Sequence, residues 1–96
     1  MIYFIDSNIF LRTLIKEDEK SFRDCYRLLK LVQEKKIKAF TSSLILAEIN
    51  WVLESFYKFR KSDIIEALKS VLNLRGLKII NKLNPDLAIE IFQNLN

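Results

Sequence analysis

Apolar positions along the chain fall into short unbroken runs that alternate with longer helical stripes. Residues 2–5, IYFI, are β-branched or aromatic throughout and predict a short strand buried on both faces, as in a parallel sheet. In DSNIFLRTLI, Asp6, Ser7 and Asn8 can each cap a helix carrying Ile9, Phe10, Leu11 and Leu14. From Lys20 to Lys36, Phe22, Cys25, Tyr26, Leu29 and Val32 recur at helical spacing, with charges on the other side. Ile37–Thr41 predicts a second strand. Thr41, Ser42 and Ser43 then offer N-caps to LILAEINWVLESFYKF, apolar almost all round and therefore expected to be buried. A fourth helix starts near Ser62 or Asp63, with Glu66 in capping-box relation to Asp63 and an inward stripe of Ile64, Ile65, Leu68, Val71 and Leu72. Gly76 marks its stop, and Leu77–Ile80 predicts a third strand. Asn84-Pro85-Asp86 opens a last helix that buries Leu87, Ala88, Ile91, Phe92 and Leu95.

This alternation predicts an α/β fold: a short, Rossmann-like parallel sheet of about three strands flanked by about five helices, in one domain over residues 1–96. Half the residues are apolar and 29% charged, a globular composition, while one Gly and one Pro argue against the many turns of an all-β sandwich. A single Cys excludes an internal disulfide. The absence of His excludes Ser-His-Asp and Cys-His triads and imidazole zinc sites, so any metal would be held by oxygen. A net charge of +4 suits an anionic partner and an ordinary lysine-rich surface equally well. Met1–Ile5 is too short for a signal sequence, and no apolar run reaches the roughly 20 residues of a membrane span. A cytoplasmic location with no membrane association is expected.

Ligands of open parallel sheets sit at the carboxyl ends of the strands. Asp6 directly follows the first strand, and Glu48 lies about two turns into the helix after the second, among apolar neighbours. Two carboxylates brought together out of water repel unless a cation neutralises them, and Mg²⁺ or Mn²⁺ prefers such hard oxygen ligands. Blander readings compete. Asp6 and Asn8 also suit helix caps, as do Thr41, Ser42, Ser43 and Asp63. Glu48 and Glu54 suit solvated helix faces, and Cys25 suits the core. Trp51, Phe56 and Tyr57 are expected to pack rather than to stack on bases.

The opening IYFIDSNIFLRTLI and the later TSSLILAEINWVL together resemble the PIN domain and, within it, the VapC-like ribonuclease toxins of toxin–antitoxin pairs. The shared pattern is an apolar strand, an Asp, a small polar residue, an Asn and an apolar helix carrying Arg. A Ser/Thr-led helix with Glu in an LAEI-like context follows. Here those positions are Asp6, Ser7, Asn8 and Arg12, then Ser42 and Glu48. KSDIIEALKSVLNLRGLKII and NPDLAIEIFQNLN also resemble that family's middle part, so the likeness spans essentially the whole chain.

The resemblance implies a metal-dependent endoribonuclease in which Asp6 and Glu48 are catalytic acids and ligands to Mg²⁺ or Mn²⁺. Asn8, Ser42 and Ser7 are supporting polar residues, and Arg12 contacts substrate. It implies RNA as substrate, a cognate antitoxin as partner, and a homodimer with the helices before and after the second strand as contact surfaces. Lys16, Lys58, Arg60 and Lys61 are expected only to solvate helix ends. The sequence also departs from the family. A further strand–helix region bearing another essential Asp follows in the family, whereas this sequence stops at Asn96, and Glu90 does not stand in a matching context. The expected fold is therefore PIN-like but C-terminally incomplete, and the short chain's activity is left open. The alternative is a non-catalytic PIN-like interaction module, a degenerate toxin that binds a partner protein. A haloacid dehalogenase-like phosphotransferase with Asp6 as nucleophile is disfavoured, because Asn8 stands where a second Asp is needed.

Overall fold

The computed structural model describes residues 2–80 of the 96, so the helix predicted over residues 84–95 lies outside them. Three strands, β1 (Ile2–Phe4), β2 (Lys38–Ser42) and β3 (Leu77–Ile80), alternate with pairs of helices. α1 (Ser7–Leu14) and α2 (Glu19–Gln33) join β1 to β2, and α3 (Ser43–Ser55) and α4 (Lys61–Leu72) join β2 to β3. The sheet is parallel in the order β1-β2-β3, with Phe4 opposite Phe40 and Thr41 opposite Ile79. The predicted α/β class and three-strand sheet are thus the observed ones, with four helices among the described residues.

Local chemistry accounts for the element ends. Asp18 caps α2, its carboxylate accepting from the Ser21 amide (3.0 Å) and hydroxyl (2.6 Å), and Ser42 caps α3 by accepting from the Ile45 amide (3.3 Å). Behind α2 the chain turns through Lys35 in the left-handed region (φ 60°), the usual exit of a helix. Gly76, the chain's one glycine, passes directly against the backbone carbonyl of Val32, so closely that a Cβ there would collide with it. Ile5, Phe10, Val32, Ala39, Ile49, Leu53, Ile64 and Val71 form a single buried core between the sheet and its helices.

Six expectations are corrected. Ile2 and Tyr3 are exposed rather than buried, because among the described residues β1 is flanked by β2 alone and its outer side chains lack neighbours on one side. α3 is two-faced: Ile45, Ile49 and Leu53 are buried at four-residue spacing, whereas Leu44 (72% exposed) and Trp51 (65%) face outward. It also stops at Ser55, short of Phe59, because Lys58 takes φ 57° and the Phe59 amide reaches back to the Leu53 carbonyl (2.9 Å). α4 is capped earlier than predicted, with Arg60 rather than Ser62 or Asp63 at the N-cap position and its carbonyl accepting from the amides of Asp63 and Ile64. Asp63 sits in the first turn and faces the Arg60 guanidinium at 3.4 Å. Ile65 and Leu72 lie outside, and Ala67 fills the inward place. Tyr26 is also exposed, stacked on Phe22 with ring centroids 5.8 Å apart.

Candidate active site

The carboxyl ends of β1 and β2 are tied together. The Ile5 amide donates to the Phe40 carbonyl (2.9 Å), and the fully buried Thr41 hydroxyl donates to the Ile5 carbonyl (2.9 Å). Continuing the register from Phe4 and Phe40 brings Asp6 level with Ser42. Asp6 occupies the N-cap position of α1 in extended conformation, and its backbone carbonyl accepts from the Ile9 amide (3.1 Å). Its side chain makes no capping hydrogen bond and is exposed. The cap reading therefore explains where Asp6 sits but not what its carboxylate does.

The other predicted residues divide by burial. Ser7 and Ser42 are buried, Ser42 as the cap of α3, while Asn8 and Arg12 are exposed on α1. Glu48 is exposed too, around a surface hollow shared with Leu44, Ala47 and Trp51. Its apolar sequence neighbours belong to the two faces of α3, one buried and one outward, and do not enclose it. Glu48 stands one helical turn before Val52, on the same side of α3.

Val52 leads into a groove between α1 and α3, with a cavity volume of about 380 Å³. Asn8, Leu11, Arg12 and Ile15 line it from α1, and Val52 and Phe56 from the end of α3. Glu17, Asp18, Ser21 and Tyr57 complete its lining. The Ser21 hydroxyl and amide hold the Asp18 carboxyl below its usual range, burial opposes them, and Arg12 adds a weaker downward pull. Interaction with the Glu17 carboxylate, with a lesser contribution from burial, pushes the Tyr57 phenol up. Lys16 lies 4.6 Å from the centre of the Phe22 ring and is engaged there.

Sequence reasoning missed three features here: the groove itself, the Thr41 tie to the residue before Asp6, and the exposure of Phe56 (75%) and Trp51, both expected to pack. Tyr57 does pack against the core, as expected.

The family model described as PIN domain matches residues 3–92, nearly the whole chain. The chain belongs to the PIN domain family. PIN domains are generally nucleases and typically depend on a divalent metal, so this PIN domain has a nuclease-type fold. No curated protein and no solved structure is significantly similar to it. The donor chemistry fits such a metal: Asp6 and Glu48 offer hard carboxylate oxygens that are exposed, and the Asp6 side chain is not engaged in capping. Among the described residues no three acidic or thiol side chains gather into a metal-binding cluster. No described helix is long and apolar enough to cross a membrane.

Proposed function

We infer that this PIN domain is a metal-dependent endoribonuclease of the VapC toxin type, with Asp6 and Glu48 as the acids that hold Mg²⁺ or Mn²⁺. The observation that carries the reading is the Asp6 carboxylate, placed at the carboxyl end of β1 in a capping position yet making no capping bond. A divalent cation bound there would supply an activated water and offset charge developing on the phosphoryl oxygens. The protein's own groups do the positioning. Thr41 fixes the strand end from which Asp6 projects, and the Ser42 cap fixes the start of the helix that carries Glu48. Ser7 packs beneath the first turn of α1, Asn8 orients the neighbouring carboxylate, and Arg12, one turn further on, meets a substrate phosphate. The same reading gives RNA as the substrate, a cognate antitoxin and a second copy of the chain as protein partners, and the cytoplasm as the location.

The test is cleavage of single-stranded RNA with Mg²⁺ or Mn²⁺ by wild type, Asp6→Asn and Glu48→Gln. Each substitution is expected to reduce the rate by more than the roughly 10–100-fold lost when a group that merely supports a metal ligand is removed. Equal rates in all three proteins would overturn the site. A second reading, the non-catalytic interaction module, is favoured by the outward apolar face of Leu44 and Trp51 around Glu48. It would be selected if wild type neither cleaves RNA nor shows Mn²⁺ binding that depends on Asp6.

A further inference from the structure

We propose that the α1–α3 groove is a subsite for one nucleobase of single-stranded RNA, stacked on Phe56 while its phosphate meets Arg12. This rests on the nuclease reading for its substrate class and shares Arg12 with it, but its base contact, Phe56, plays no part in that reading. The groove lies beside the candidate site: Asn8 lines it, and Glu48, in the neighbouring hollow, stands one turn from Val52 on its α3 side. Phe56 lines the groove yet is three-quarters exposed, an arrangement that contributes little to folding and leaves an aromatic face open. Tyr57, in tilted contact with Phe56 at 5.4 Å and itself packed against the core, braces that ring.

Charge decides which part of a nucleotide enters. Glu17 and Asp18 line the groove and repel phosphate, while Arg12 is the one cation among the described residues of its lining. The uncharged base is therefore the part that suits the interior, with the phosphate kept toward Arg12. Size agrees: about 380 Å³ lies at the low end of the roughly 300–1,000 Å³ of small-ligand sites, room for a base rather than for a docked helix. In the segment that follows, Tyr57 and Phe59 pack against the core while Lys58, Arg60 and Lys61 are exposed, so it offers cations to a backbone beyond the groove. Arg60 faces Asp63, which leaves Lys58 and Lys61, both exposed, to continue the strand's path.

The experiment separates binding from cleavage. Affinity of the full chain for a short fluorescein-labelled single-stranded RNA is measured by anisotropy in EDTA, where metal-dependent cleavage is silent. Phe56→Ala is expected to weaken binding about 5- to 150-fold, the range of one lost base stack. Phe56→Trp should restore it, whereas Phe56→Leu, apolar but without a π face, should not. An abasic ribose-phosphate chain should bind wild type and Phe56→Ala equally. Arg12→Gln should flatten the salt dependence by about 0.7 in the log–log slope, one phosphate contact.

Unchanged RNA affinity in Phe56→Ala, or full restoration by Leu, would overturn the subsite, even if Asp6→Asn abolishes cleavage and the nuclease reading stands. Phe56-dependent binding in a protein that never cleaves would uphold the subsite and remove the nuclease. Sedimentation showing that Phe56→Ala dissociates a dimer without altering RNA affinity would assign the groove to a second copy and overturn the proposal.

Discussion

The hydroxyl of Thr41 reaches the carbonyl of Ile5, and Asp6 is the next residue along. Replacing Thr41 by Val keeps the β-branched shape and removes the donor, so the carbonyl loses a partner in a fully buried setting. Thr41→Val is expected to cost about 1–3 kcal/mol by urea unfolding and to lower RNA cleavage with it, while Thr41→Ser returns most of both. Equal stability of the Val variant would show that the tie does not hold Asp6 in place. Asp6 and Glu48 were legible in the sequence because an acid after an apolar run, and an acid inside an apolar helix, stand out by position alone. Thr41 was not. A hydroxyl just before a helix looks like a cap, and its true partner lies 36 residues upstream, where only the strand register brings the two together.

Hydropathy located every described element to within a few residues, because strand runs and helix stripes leave different periodicities. It failed on the surroundings of α3. A helix apolar nearly all round reads as buried, yet hydropathy records which side chains gain by leaving water, not which neighbour covers them. Ile45, Ile49 and Leu53 face the core, while Leu44 and Trp51 face outward. The two faces should respond differently to mutation. Leu53→Ala is expected to lose about 2–5 kcal/mol through transfer and cavity costs, whereas Trp51→Ser stays within about 0.5 kcal/mol in dilute solution. Chemical denaturation at low protein concentration measures both, and a large loss for Trp51→Ser would mean that the outward face is covered. The end of α3 was misplaced for a related reason: Lys58 adopts a left-handed conformation that nothing in its side chain announces.

Across the whole molecule, both candidate acids come from the first half of the chain, Asp6 just before α1 and Glu48 on α3, helices that start at the carboxyl ends of neighbouring parallel strands. A cation gripped by both stabilises the folded state by mass action, by about 2.7 kcal/mol at a hundred times its Kd. Mn²⁺ is therefore expected to raise the Tm of wild type and to leave Asp6→Asn and Glu48→Gln unmoved, as read by thermal unfolding with and without EDTA. Equal shifts in all three proteins would place the ion elsewhere. The close passage of Gly76 beneath the Val32 carbonyl has a bearing of another kind. Position 76 has room for a hydrogen and nothing larger, so a survey of tolerated substitutions would rank it beside the candidate acids. Its intolerance would report crowding between two stretches of backbone, and an assay of soluble yield, rather than of turnover, tells the two causes apart.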